Sequence, residues 1–143
     1  MRKQNIFVTV DAVVFQEVEK KVFLLLIQRK NLPFQNHWAL PGGFVEDSED
    51  LDTAVARELL EETGIIYSNF MQLKAFGKLG RDPRGRTISV AFAGFTDANT
   101  IPKGADDAKE AKWFDIKKLP KLAFDHDDII AFAISHFHFN HHL

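Results

Sequence analysis

The sequence predicts an α/β domain, a mixed sheet with helices on both faces. Three observations predict it. Segments rich in β-branched and aromatic residues recur along the 143-residue chain, as strands that pack on a core require. Glu49 to Thr63 carries apolar residues at a helical period. A second helical segment, Asp125 to about Phe137, closes the chain. Strands and helices mixed in this order pack as layers.

Taken in order, Ile6 to Phe15 reads as a strand and the polar stretch Gln16 to Lys21 as a turn. Val22 to Gln28 is a continuous apolar run, which marks a strand buried on both faces. Residues 31–37 form a loop, and Trp38 to Leu40 is a short strand that Pro41-Gly42-Gly43 breaks. Ser48 is placed to cap the helix Glu49 to Thr63, acidic residues follow at its positive end, and Gly64 stops it. Ile65 to Gly77 reads as strand with a turn near Ser68-Asn69. Arg81 to Arg86 is a turn around Pro83 and Gly85, and Thr87 to Phe95 is a strand. Thr96 to Asp107 is a polar loop, Ala111 to Ile116 a strand, and Asp125 the cap of the closing helix.

Composition narrows the function. The length suits a single domain over residues 1–143, and 45% hydrophobic with 27% charged residues rules out wholesale disorder. A net charge of -2 argues against a broad nucleic-acid-binding face. The absence of Cys excludes disulfides, thiolate metal sites and thiol nucleophiles. No apolar run approaches the roughly 20 residues of a spanning helix, so the expectation is a cytoplasmic protein with neither membrane nor nucleic-acid partners.

The helix Glu49 to Thr63 departs from a purely structural pattern. On a wheel of about 100° per residue, Leu51, Val55 and Leu59 form the buried stripe. Glu62 falls inside that stripe, Glu58 at its edge and Glu61 beyond Glu58. Like charges at these spacings repel, and acids late in a helix oppose its dipole. A divalent cation removes both penalties, and hard cations take carboxylate oxygens together with substrate phosphates. The preceding Gly42-Gly43 brings bare backbone close, which lets carbonyls join a cation site and lets a substrate approach.

Gly43, Glu49, Arg57, Glu58, Leu59, Glu61, Glu62, Gly64 and Ile65 match the Nudix box G-x5-E-x7-R-E-U-x-E-E-x-G-U, where U is aliphatic, at every specified position. The chain therefore resembles the Nudix hydrolases. The resemblance implies a Nudix-like α/β/α sandwich with a mixed sheet. It also implies metal-dependent hydrolysis of a nucleoside diphosphate linked to another group, with Mg²⁺ or Mn²⁺ as cofactor. By the same resemblance Glu58, Glu61 and Glu62 bind metal with the carbonyl of Gly42, while Arg57 and Glu49 orient the catalytic helix. The proton acceptor is either a box glutamate or a later loop acid, of which Asp106, Asp107 and Glu110 are the candidates.

Leu79 to Ser89 and Leu122 to His126 are similar to the ADP-ribose pyrophosphatases and related regulators within that family. ADP-ribose cleaved to AMP and ribose 5-phosphate is thus the expected reaction. A triphosphate-sanitising enzyme and a non-catalytic ligand sensor are the alternatives. A regulator needs a DNA-binding appendage, which is not expected here; a homodimer is compatible with the resemblance. Arg29, Arg81, Arg84 and Arg86 are the candidate substrate-binding cations, with Gly43 beside them, because a guanidinium fork engages two oxygens at once. Trp38 is expected to pack. Phe34, His37 and His126 are open as substrate contacts. His136, His138, His141 and His142 read as the frayed end of a helix rather than a metal site.

Overall fold

The computed structural model describes residues 2–104 and 108–139. Seven strands and two helices follow in the order β1 (Phe7–Val18), β2 (Lys21–Arg29), β3 (Trp38–Ala39), β4 (Gly42–Phe44), α1 (Leu51–Thr63), β5 (Met71–Phe76), β6 (Thr87–Thr96), β7 (Ala108–Asp115) and α2 (His126–His136). The sheet runs β3-β2-β1-β6-β5, with β4 on β1 and β7 on β2. It is mixed: β1 lies parallel to β6, and the other strand pairs are antiparallel.

Strand alternation builds the two larger cores, one on each face of β1, and a smaller cluster of Ile27, Ala39, Ala108, Ala111 and Ala123 lies apart from them. Val10, Ala12 and Val14 of β1 meet Ala54, Val55 and Leu59 of α1. Val13 and Phe15, which point the other way, meet Ile129, Ile130 and Ala133 of α2. The result is the α/β/α sandwich expected from the resemblance. Leu24, Leu25 and Leu26 of β2 are fully buried, as the continuous apolar run required.

β1 is the hinge of the architecture. One edge pairs with β6 along Phe7 to Gln16. The opposite edge is shared: Phe15 to Val18 pair with β2, while Thr9 to Asp11 pair with β4. The sheet therefore splits along β1, and a cleft opens where β2 and β4 diverge.

Several boundaries differ from the sequence reading. β1 runs on to Val18, so the turn shrinks to Glu19 and Lys20, both at positive φ. Gly42-Gly43 does not merely break a strand; with Phe44 it forms β4, whose hydrogen bonds come from β1. The segment from Ile65 is strand only over Met71–Phe76. β7 begins at Ala108 because pairing with β2 extends to Arg29. α1 starts at Leu51 after Asp50 rather than Ser48, and α2 at His126; neither N-cap side chain makes a capping hydrogen bond.

Candidate active site

The cleft at the split has a volume of about 460 Å³, within the range of small-molecule sites. Its lining carries the acids Glu58 and Glu62 of α1, with Asp11, Glu46 and Asp82, and the cations Arg29, Arg57, Arg81 and Arg84.

The late start of α1 shapes the acidic cluster. Because the helix begins at Leu51, Glu49 lies outside it, and its carboxylate faces back along the helix. Arg57 grips that carboxylate with both arms of its fork: Nε donates to Oε2 at 2.7 Å and Nη2 to Oε1 at 2.7 Å. Nη1 reaches Glu61 at 3.0 Å, and Nη2 donates to the Phe44 carbonyl at 3.2 Å. The guanidinium thus ties β4, the loop after it and α1 together. The hydrogen bonds from Arg57 hold the Glu49 carboxyl down at about 2.

The three box acids occupy different depths. Glu62 is buried, and its Oε1 accepts the Gly42 N–H at 2.8 Å. The Glu58 side chain is 13% exposed and Glu61 is 44% exposed. Burial pushes the Glu58 carboxyl up to about 7 despite the opposing charge of Arg57. Gly43 is bare for a reason, since a Cβ there would overlap Glu58 Oε2. Gly42 is bare for another, since a Cβ there would strike the Val10 carbonyl. Gly64 ends α1 in the left-handed conformation at φ 73°, as the sequence suggested, and its N–H bonds to the Leu60 carbonyl.

These groups suit a hard divalent cation. Glu58 and Glu62, with the carbonyl of Gly42, offer oxygen ligands, and the desolvated Glu58 carboxylate gains from a positive neighbour. Among the described residues no three His, Asp or Glu side chains form a ready cage.

Arg81 and Arg84 are held by their own acids. Arg81, whose side chain is 4% exposed, makes a two-pronged pair with Asp125, Nε to Oδ2 at 2.9 Å and Nη2 to Oδ1 at 2.6 Å. Arg84 pairs with buried Asp82 through Nε and Nη2, and its guanidinium lies over the rings of Phe44 and Phe124. Burial raises the Asp82 carboxyl, but the Arg84 hydrogen bonds outweigh it and leave the net shift downward. Arg29 donates from Nε to the Pro33 carbonyl at 2.8 Å and lies over Phe124.

Not every candidate converges. Arg29, Gly42, Gly43, Arg57, Glu58, Glu62, Arg81 and Arg84 line the cleft; Glu61, Arg86 and Glu110 do not. Arg86 donates to the Gly77 carbonyl at 2.6 Å. Glu110 sits exposed on β7 opposite Gln28. Asp106, Asp107, His141 and His142 lie outside the described residues. Trp38 packs edge-on against Phe114, and Phe34 packs against Phe124 and His37. His136 stacks on Phe132 in the last turn of α2. Sequence reasoning passed over Asp11, Phe44 and Phe124 as site residues, which also line the cleft, and left His126 undecided. Asp11 had a signal: it is the one acid in the apolar stretch Ile6 to Phe15.

A sheet split along β1, an acidic helix behind a Gly-Gly strand and an unbroken box define a Nudix protein. The chain belongs to the Nudix family, whose NUDIX domain model matches residues 6–132. It is 50% identical over 113 residues to the ADP-ribose pyrophosphatase of Methanocaldococcus jannaschii, covering 79% of this chain and 66% of that protein. It is 34% identical over 131 residues to the ADPR responsive transcriptional repressor NtrR of Acinetobacter baylyi, covering 89% and 52%. The chain therefore spans about two thirds or less of the curated relatives it matches. Among solved structures, the NUDIX domain of Shewanella oneidensis NrtR complexed with ADP ribose superposes with a TM-score of 0.88. The two are 31% identical, and the match covers 94% of this chain and 90% of that one.

Proposed function

We propose that this chain is a divalent-metal-dependent pyrophosphohydrolase that cleaves ADP-ribose to AMP and ribose 5-phosphate, with Mg²⁺ or Mn²⁺ as cofactor. The observation that carries the reading is that Glu58, Glu62 and Gly42 line one cleft together with Arg29, Arg81 and Arg84. A diphosphate in that cleft would meet both a cation site and guanidinium groups. The names of the M. jannaschii relative and of the ADP-ribose complex support the choice of substrate.

In this reading Glu58 and Glu62 hold the cation with the Gly42 backbone, and Arg57 with Glu49 orients α1. When bound, the cation neutralises diphosphate charge and acidifies the attacking water. Of the described candidates for proton acceptor, Glu58 lines the cleft, whereas Glu61 and Glu110 stand outside it. Phe44 and Phe124 line the same cleft, and Arg84 lies over both rings, which holds its guanidinium beside the space a substrate would fill.

The test is product identification after incubation with ADP-ribose, and separately with nucleoside triphosphates, in Mg²⁺ and in Mn²⁺. AMP plus ribose 5-phosphate supports the reading. A nucleoside monophosphate plus inorganic pyrophosphate, formed from triphosphates alone, replaces it with a sanitising activity. ADP-ribose binding without turnover in either metal replaces it with ligand sensing, the property named for the A. baylyi relative.

A further inference from the structure

His126 has no part in the chemistry above, yet it lies 5% exposed in the lining of the cleft. It is the first residue of α2, on the opposite side of the sheet from the acidic helix. Its Nδ1 accepts the backbone N–H of Leu40 at 3.0 Å. Its Nε2 faces Asp11 Oδ1 at 3.4 Å. Asp11 in turn accepts a hydrogen bond from Ser89 Oγ. A buried polar chain thus runs from β6 through β1 and α2 to the residue before Pro41.

The chain ends at the segment that carries the cation site. Leu40 leads through Pro41 to Gly42, whose N–H bonds Glu62. The Pro41 carbonyl accepts the Ala12 N–H at 2.8 Å, so the segment is pinned to β1 just past the polar chain. Asp11 Oδ1 also lies so close to Gly42 that a Cβ there would meet it at 2.8 Å. Nothing else among the described residues receives the Leu40 N–H, and a buried amide left without an acceptor is costly. Next door, Asp125 holds Arg81. The start of α2 therefore fixes Arg81 with one residue and the cation-binding segment with the next.

We propose that His126 is a positioning residue for the cation-binding edge: by accepting the Leu40 N–H at Nδ1 it sets where Gly42 and Glu62 stand. An acceptor at Nδ1 requires the neutral ring to carry its proton on Nε2, directed at Asp11. Burial, which disfavours the charged ring, agrees with a neutral imidazole, although Asp11 and Asp125 pull the other way.

Two variants separate the two nitrogens. In His126→Asn the amide oxygen occupies the region of Nδ1 and still accepts from Leu40. In His126→Gln the longer side chain reaches the Nε2 region and leaves Leu40 without its acceptor. Mn²⁺ binding, followed by electron paramagnetic resonance without substrate, and steady-state turnover of ADP-ribose are the readouts. His126→Gln is expected to weaken Mn²⁺ binding and lower kcat by about tenfold or more, the range for groups that orient metal ligands. KM should change little, and His126→Asn should recover most of both losses. Equal behaviour of the two variants, whether both impaired or both intact, overturns the proposal.

If His126→Gln does not fold, the wild-type protein decides. Long-range ¹H–¹⁵N correlations must show the proton of His126 on Nε2, and a proton on Nδ1 overturns the proposal. The proposal rests on the metal-dependent reading above, and the two fail differently. Absence of Mn²⁺ binding by the wild-type protein sinks that reading and leaves the ring tautomer to judge His126. Normal Mn²⁺ binding in His126→Gln sinks only the positioning role.

Discussion

Glu58 and Glu62 stand one helical turn apart and meet different surroundings. Glu62 is anchored through the Gly42 N–H, whereas Glu58 faces the bare Cα of Gly43. If Glu58 and Glu62 hold the cation as proposed, Glu58→Gln and Glu62→Gln each lower kcat by about 10²-fold or more while the fold persists, since each removes a charge from that site. Turnover with Mg²⁺, beside circular dichroism of each variant, checks this. The two glycines should part company. At Gly43 an added methyl meets the end of a flexible side chain, so Gly43→Ala should keep its melting temperature and lose activity by displacing Glu58. At Gly42 it meets the Val10 backbone, so Gly42→Ala should lose stability by about 1–3 kcal/mol, as overpacking does. Urea unfolding and kinetics on the same pair decide it; matching profiles would contradict the assignment. The acids were legible in the sequence because a helix punishes such a cluster unless something compensates. Asp11 and His126 were harder to place, because they come together only after the sheet forms.

Element α1 owes its orientation to a fork rather than to a cap. Asp50 makes no side-chain capping bond. Instead Arg57 binds both oxygens of Glu49, a grip that Lys cannot reproduce. Because the folded-state carboxyl of Glu49 titrates near 2 against an ordinary 4.5, its stabilising contribution is complete above the ordinary value. It falls away as pH drops through about 2. The stability difference between wild type and Glu49→Gln should thus be constant from neutral pH to about 5 and shrink progressively below 4.5. Urea unfolding at stepped pH measures it, and a difference that grows on acidification refutes the pairing. The body and the end of α1 were readable from periodicity and Gly64. Its start was misplaced by two residues because Ser48 is a good cap in isolation, while tertiary pairing of Glu49 with Arg57 keeps the preceding residues extended. β4 was missed for a related reason: Gly-Gly has no strand preference of its own and is strand only because β1 offers it partners.

At the scale of the whole molecule, the segment between β5 and β6 is bound to the start of α2 by Arg81 and Asp125. Removing one partner of a pair this buried costs about 3 kcal/mol, so Arg81→Ala should lower stability as well as activity. Arg84→Ala is expected to raise KM for ADP-ribose about tenfold. Arg86→Ala, which loses a contact to Gly77 outside the cleft, should change KM by less than about threefold. Denaturation and steady-state kinetics on the three variants test the division, and equal KM effects at 84 and 86 would refute it. The parallel pairing of β1 with β6 has a consequence for how such a chain is made. Phe7 to Gln16 wait for Thr87 to Thr96, which leave the ribosome long after them. Pairings this distant in sequence make folding slow. In the interval β1, β2, β4 and α1 are already synthesised, and β1 carries an unpaired apolar edge of the kind that recruits other chains. The strand that organises the cleft is thus also the nascent chain's point of greatest exposure. Conditions that delay β6 should reduce yield before they alter any property of the molecules that do fold.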